Sequence, residues 1–162
     1  MKRHLCAVLI GMAMTGARTF VDTNILLRSV LTAMPEHALV DALVKRTIRE
    51  GTELWISGQV IREFIVQATH PRTLAQPLTI AQVAKQIETF KPLFRIADET
   101  AAVRDKLLEL LQAYPTLGKQ VHDANIVATM LAFDIDTLLT LNIADFKRYE
   151  DRIKLISPEE ST

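Results

Sequence analysis

The chain has 162 residues with 19 basic and 19 acidic side chains, and 49% of its residues are hydrophobic. This length and composition are typical of one globular domain and exclude a disordered or low-complexity chain. The single cysteine excludes an internal disulfide framework and a multi-cysteine zinc site. A neutral chain also lacks the basic surplus of proteins that coat nucleic acids, although it leaves room for an enzyme that holds a nucleic acid through metal ions.

Residues 1–17 have a pattern of their own. A basic start at 2–4 precedes an apolar run at 5–14, and small residues follow at 15–17. This order is typical of a secretory signal, but the run is too short for a transmembrane helix, which needs about 20 apolar residues. Because the rest of the sequence is typical of a cytoplasmic protein, we interpret the segment as an N-terminal extension from an upstream start codon. We therefore expect a cytoplasmic protein without a membrane anchor.

After this segment, short β-prone runs alternate with amphipathic helical runs. Strands are predicted at 19–21, 54–56, 93–97, 137–140 and 153–156. Helices are predicted at 24–30, 36–50, 58–68, 79–90, 99–113, 122–133 and 142–149. Ser57 and Asp98 are the expected N-caps of two of these helices, and Thr79 with Gln82 forms a capping-box pattern.

This alternation predicts an α/β fold. Strands separated by helices imply crossover connections and a parallel sheet with helices on both faces. We expect one three-layer αβα domain over residues 18–157, with a central parallel sheet of four to five strands and a short tail at 158–162. Such sheets bind ligands at the carboxyl ends of their strands, so the residues that follow each strand are the candidate site.

Four carboxylates occupy positions that this topology can bring to one end of the sheet. They are Asp22 after the first strand, Glu63 after the second, Asp123 before the fourth and Asp145 after it. Each has an ordinary explanation by itself, as a helix cap or a solvent-facing residue. Clustered carboxylates, however, raise one another's pKa unless a cation lies among them, and all-oxygen ligands favour Mg²⁺ or Mn²⁺. Such an ion suits phosphodiester hydrolysis.

Four blocks of the sequence resemble the signature blocks of the PIN domain family, in particular those of its VapC-like toxins. In chain order they are FVDTNILL, SGQVIREF, VHDANIVATML and LLTLNIADF. The resemblance covers essentially residues 18–157 and implies a PIN-like fold. It also implies a Mg²⁺- or Mn²⁺-dependent single-strand ribonuclease in which Asp22, Glu63 and Asp123 are catalytic metal ligands.

The last block leaves two positions for the fourth acidic residue of the family. We assign Asp145 as the fourth catalytic and metal-binding carboxylate and Asn142 as a neutral ligand or phosphate contact. The resemblance also implies that the amide of Asn24 orients Asp22.

Other polar residues near the predicted site have several possible roles. Thr140 and Ser57 could donate hydrogen bonds to carboxylates or phosphate, but positions at a strand end and a helix cap explain them equally well. His122 could shuttle protons, although the family motif does not require a histidine there. The basic residues that border the site in sequence are Arg28, Arg62, Arg72 and Lys119.

The resemblance also implies partners. These are an RNA substrate, a cognate antitoxin that blocks the acidic cleft, and a second copy of the chain in a homodimer. The helices at 36–50 and 79–90 are the candidate dimer surfaces.

Several alternatives stay open. A housekeeping RNA-processing PIN nuclease would have the same motifs, and a non-catalytic PIN-like module that binds RNA or protein would have the same fold. A haloacid-dehalogenase-type phosphatase needs a second acidic residue where Asn24 stands, and a receiver domain needs an acidic pair at the end of the first strand. The cost of holding like charges together without a cation argues against the non-catalytic module.

Overall fold

The computed structural model describes residues 16–158, so the predicted extension at 1–17 and the predicted tail lie almost entirely outside the described residues. Within this range the strands are β1 Arg18–Val21, β2 Glu53–Ser57, β3 Arg95–Ala97, β4 Thr137–Leu139 and β5 Lys154–Ile156. The helices are α1 Thr23–Val30, α2 His37–Arg49, α3 Gly58–Ala68, α4 Ile80–Glu88, α5 Ala101–Ala113, α6 Gln120–Ala132 and α7 Ile143–Phe146, which continues as a 3-10 turn, Lys147–Tyr149.

The described strands form one parallel sheet in the order β3-β2-β1-β4-β5. Phe20 of the central strand β1 is paired with Trp55 of β2 on one side and with Leu138 of β4 on the other. Phe20 and its neighbour Val21 are both fully buried. Because successive strand residues point to opposite faces, helices must cover both faces of the sheet. The predicted three-layer α/β fold is thus confirmed, with five strands.

Local signals set the ends of several helices as expected. The Ser57 hydroxyl accepts a hydrogen bond from the backbone N–H of Val60 and caps α3, and Thr79 and Gln82 form the predicted capping box at α4. Gly51 follows α2 with a φ of 81°, a left-handed conformation that glycine adopts without steric cost.

Two predicted boundaries were wrong around β3. Thr100, and not Asp98, caps α5, since its hydroxyl accepts a hydrogen bond from the N–H of Val103. The strand begins at Arg95 instead of residue 93, because the backbone N–H groups of Leu93 and Phe94 both donate to the Phe90 carbonyl. Those bonds continue the turn after α4 and make residues 93 and 94 unavailable to the sheet.

Aliphatic side chains and a few aromatic rings fill the core. Phe64 of α3 meets Phe90 edge to face, with ring centroids 5.1 Å apart, and this contact joins α3 to the segment after α4. Both rings are fully buried. Among residues 16–158, no helix combines the length and the apolar character needed to cross a membrane.

Candidate active site

Asp22 lies at the carboxyl end of the central strand and is buried, with only 6% of its surface exposed. Its Oδ1 accepts a hydrogen bond of 2.6 Å from the backbone N–H of Thr23, which caps α1. Its Oδ2 accepts hydrogen bonds of 2.7 Å from the Asn24 amide and 2.7 Å from the Thr140 hydroxyl. Thr140 reaches Asp22 because it directly follows β4, which pairs with β1. Three donors therefore fix the orientation of one buried carboxylate.

Glu63, on α3, is held beside Asp22 by a residue that the sequence analysis did not identify. The Thr23 hydroxyl donates to Glu63 Oε2 at 2.7 Å, while the N–H of the same threonine donates to Asp22. Thr23 thus links the two carboxylates. Thr23 lies inside the first motif block, and this position could have marked it as a site residue. The sequence did not show that its hydroxyl contacts Glu63 on α3.

Gln59 is the second residue that the sequence analysis missed. Its side-chain amide donates to Glu63 Oε1 at 2.8 Å and to the backbone carbonyl of His122 at 3.0 Å, and its oxygen accepts from the Asn125 amide at 2.8 Å. Gln59 is buried. Gln59 precedes Glu63 by four residues on the same predicted helix, and this spacing could have indicated that the two side chains are in contact. The hydrogen bonds to His122 and Asn125 connect α3 to α6, which carries Asp123.

The electrostatics connect all four predicted carboxylates. Burial raises the pKa of Asp22 to about 6, the hydrogen bonds from Thr140 and Thr23 oppose this rise, and the charges of Glu63 and Asp123 add to it. The pKa of Asp123 is also raised to about 6. Burial is the largest cause, and the negative charges of Asp145 and Glu63 raise it further. We call Asp22, Glu63, Asp123 and Asp145 the acidic cluster.

The structure places the predicted supporting residues in different roles. Asn24 donates to Asp22 as expected, and its Oδ1 accepts the N–H of Leu141 at 3.1 Å, which fixes the direction of the amide. Asn142 is exposed, and its backbone N–H donates to the Thr140 hydroxyl at 2.9 Å. The hydroxyl of Ser57 serves the cap of α3.

Two of the basic residues named from the sequence are engaged in ion pairs. Arg28 pairs with Glu36 at 2.9 Å, and Arg62 pairs with Glu99 at 2.9 Å. Arg148, which the sequence analysis did not name, interacts with Asp123 of the acidic cluster, since its charge opposes the rise in the pKa of that carboxylate. Its guanidinium donates to the Pro115 carbonyl at 2.8 Å and to Gln120 Oε1 at 3.0 Å, so its position is fixed.

The donor set of the acidic cluster fits a hard divalent cation. Asp22 Oδ1, Glu63 Oε1 and Glu63 Oε2 each accept one hydrogen bond, so each keeps a lone pair for another partner. A cation would also relieve the repulsion that raises the pKa of Asp22 and Asp123. Among residues 16–158, however, no three His, Cys, Asp or Glu side chains are arranged to hold one ion as they stand.

A family model described as the PIN domain matches residues 19–151. The chain belongs to the PIN domain family. The resemblance of the four sequence blocks is confirmed, and the phosphatase and receiver-domain alternatives are set aside. In this PIN domain Asp22 directly follows β1, Glu63 lies on α3 after β2 and Asp145 lies on α7 after β4, whereas Asp123 lies on α6, which precedes β4.

Individual proteins similar to this PIN domain include ribonuclease VapC33 of Mycobacterium tuberculosis, with 26% identity over 132 residues, 80% of this chain and 91% of that protein. VapBC2 of Rickettsia felis, solved bound to a promoter DNA fragment, has a TM-score of 0.59 and 20% identity, covering 86% of this chain and 98% of its own. VapC20 of M. tuberculosis, a Sarcin-Ricin loop cleaving toxin, has a TM-score of 0.55 and 17% identity, covering 74% and 86%. The two structural likenesses show a shared fold.

Proposed function

We propose that this PIN domain is a divalent-metal-dependent ribonuclease that cleaves single-stranded RNA, and that it is the toxin of a toxin–antitoxin pair. The observation that carries the proposal is the acidic cluster, in which burial and mutual repulsion raise the pKa of Asp22 and Asp123 to about 6. Holding these charges together destabilises the fold unless a cation is bound. The names of the similar proteins ribonuclease VapC33 and the Sarcin-Ricin loop cleaving toxin VapC20 support an RNA substrate.

In this proposal Asp22, Glu63, Asp123 and Asp145 hold Mg²⁺ or Mn²⁺. An ion held by these carboxylates would lower the pKa of an attacking water and would stabilise the charge that develops on the phosphate. The protein's own contribution is orientation: Asn24 and Thr140 fix the Asp22 carboxylate, and Thr23 joins Asp22 to Glu63. Preorganised ligands lower the cost of assembling the reacting groups.

The proposed partners follow from the same similarity. Solved VapBC complexes, such as that of Rickettsia felis, support a cognate antitoxin, which we expect to cover the acidic cluster. For a homodimer, α2 and α4 carry exposed apolar residues, including Leu39, Ile48 and Ile80. An RNA substrate would place the activity in the cytoplasm.

RNA cleavage by the full-length protein tests the proposed function. We expect total RNA to be cut with Mg²⁺ or Mn²⁺ and left intact with EDTA. Asp105, an exposed carboxylate on α5 paired with Arg104, provides the control, and Asp105→Asn should cut like the wild type. If total RNA, single tRNAs and ribosomal RNA all stay intact with either metal, the proposal is wrong and the non-catalytic binding module takes its place.

Gln59→Ala tests whether Gln59 is a positioning residue for Glu63. Without the 2.8 Å hydrogen bond from Gln59, Glu63 Oε1 is free to rotate away from the other carboxylates. We expect Mn²⁺ affinity and kcat to fall by about 10–100-fold, the usual range for partners of metal ligands, with KM nearly unchanged.

The matched control for this variant is Gln112→Ala, an exposed glutamine on α5. Calorimetric titration with Mn²⁺ gives the metal affinity, and steady-state kinetics give kcat and KM. Both are measured well below the unfolding temperature. A loss of thermal stability with unchanged Mn²⁺ affinity and kcat would mean that Gln59 only joins α3 to α6.

A further inference from the structure

A cleft of about 420 Å³ opens directly beside the acidic cluster and shares Glu63 with it. Side chains from α3, α5 and α6 line it. Val66, Leu107 and Val121 supply apolar surface. At its edge Arg62 and Glu99 form an ion pair of 2.9 Å. A strand of RNA with a phosphate at the acidic cluster would therefore place a neighbouring nucleotide at this cleft.

Most polar groups of the cleft already have partners. Both oxygens of Glu63 accept hydrogen bonds, and the Gln59 amide uses its donor and acceptor within the protein. Among the described residues that line the cleft, Gln67 has a side-chain amide without a hydrogen bond, and the imidazole of His122 makes none either, since only its backbone carbonyl accepts one. The Oδ1 of Asn125 likewise accepts none, while its amide nitrogen donates to Gln59. An adjacent donor and acceptor on Gln67 and a further acceptor on Asn125 are thus left for a ligand.

The charges of the cleft indicate what kind of ligand this is. Arg62 is neutralised by Glu99, and Glu63 adds a negative charge, so a phosphate group is not favoured there. An uncharged planar group fits better. A side-chain amide matches the paired donors and acceptors on the edge of a nucleobase, and apolar and guanidinium groups pack against its face. The volume is within the range of about 300–1,000 Å³ for small-ligand sites.

We propose that this cleft binds one unpaired nucleobase of the RNA strand beside the scissile phosphate, and that Gln67, with Asn125, determines which base is accepted. The proposal rests on the proposed ribonuclease function and specifies its substrate: single-stranded RNA with a base preference next to the cleaved bond. Gln67 is a specificity residue in this scheme, because it contacts the base and not the reacting atoms.

RNA binding without metal tests the proposal independently of cleavage. Fluorescence anisotropy with labelled hexamers of A, C, G and U, in EDTA, would give the Kd of each for the full-length protein. We expect the wild type to bind one hexamer about tenfold more tightly than the weakest, and Gln67→Ala to reduce this difference to less than about threefold. Gln67 is a helical residue, so alanine preserves the local structure, which circular dichroism would verify.

Gln112→Ala, an exposed glutamine of α5 away from the cleft, should keep the wild-type preference. Equal binding of the four hexamers by the wild type, or an unchanged preference in Gln67→Ala, would overturn the proposal. The cleft would then be assigned to a side chain of a protein partner. A base preference without cleavage in Mg²⁺ or Mn²⁺ would instead contradict the proposed ribonuclease and leave the nucleobase site standing.

Discussion

Asp123→Asn should abolish RNA cleavage and, in the same protein, increase the stability of the metal-free fold. Asp123 faces the negative charges of Asp145 and Glu63. Its carboxylate accepts no hydrogen bond from another described residue, so the amide removes a repelling charge without breaking a hydrogen bond and gives up only the weaker attraction to Arg148 and His122. The variant also removes a proposed metal ligand, and we expect the cleavage rate to fall more than about 100-fold, beyond the loss typical of an indirect partner.

The gain in stability should be modest because Asp123 is only half-buried and solvent screens its charge. We expect an increase of up to about 1 kcal/mol in the free energy of unfolding, measured by urea denaturation in EDTA at neutral pH. Asp105→Asn, which removes an exposed carboxylate, should change neither the cleavage rate nor the stability. A variant that unfolds would show that Asp123 has a structural role. A folded variant that cuts RNA at the wild-type rate would show that Asp123 takes no part in the reaction.

Asp22→Asn should not share this gain in stability. The Asp22 carboxylate accepts hydrogen bonds from Thr23, Asn24 and Thr140, and an amide would turn its own N–H₂ group toward at least one of these donors. A buried donor that loses its acceptor costs about 1–3 kcal/mol, which offsets the benefit of removing the charge. The two neutral variants therefore separate repulsion within the acidic cluster from the hydrogen bonds that hold Asp22.

The metal-free protein should lose stability as the pH rises from about 5 to about 7. The pKa of Asp22 is raised from its ordinary value of 3.8 to about 6, so in this range the folded protein binds a proton that the unfolded chain has already released. Stability must then fall with increasing pH. Asp22 alone accounts for about 1 kcal/mol of this loss in the free energy of unfolding between about pH 5 and about pH 7. Over the whole range, from the pH at which Asp22 is protonated in both states to the pH at which it is ionised in both, the loss is about 3 kcal/mol.

Other groups do not reverse this trend. Asp123, whose pKa is also raised to about 6, acts in the same direction. The pKa of Glu109 is lowered by its hydrogen bonds with Lys106 and Arg152, and that of Asp136 by Thr137 and Lys154. These two carboxylates stabilise the fold above their ordinary pKa, and their contribution is lost only at lower pH.

Divalent metal should cancel the loss of stability at neutral pH. With Mn²⁺ at about 100 times its Kd, binding to the folded protein adds about 2.7 kcal/mol. Urea unfolding at about pH 5 and about pH 7, with EDTA and with Mn²⁺, measures this effect. In EDTA, the free energy of unfolding of Asp123→Asn should depend less on pH than that of the wild type. Stability that rises with pH in EDTA would mean that the carboxylates of the acidic cluster are already neutralised by protein groups.

Local sequence patterns were sufficient for much of the fold, and they also selected the carboxylates of the proposed site. Ser57 and the Thr79–Gln82 pair act through atoms three residues away, so their helix starts could be predicted from neighbouring residues. Asp22 and Thr140 were expected at one edge of the sheet, because Asp22 follows the first predicted strand, Thr140 ends the fourth, and parallel strands end at the same edge; the hydrogen bond between them confirms this. That inference needed the order of the elements and not their packing.

Where two local signals compete, the sequence was insufficient. Asp98 and Thr100 are both suitable caps for α5, and only the point where the chain leaves β3 decides in favour of Thr100. In the same way, the turn after α4 uses backbone groups at residues 93 and 94 that the sequence pattern had assigned to the strand.

The tertiary structure alone decided how the acidic cluster is held and what lies beside it. The hydrogen bond from Gln59 to the His122 carbonyl joins residues 63 positions apart, and that from Thr23 to Glu63 joins residues 40 positions apart. Both depend on the distance and rotation with which α3 packs against its neighbours. The unpaired amide of Gln67 and the cleft that it lines follow from the same packing. The sequence determined which groups could do the chemistry, whereas the packing of helices on the sheet decided which of them have partners and which are free to bind.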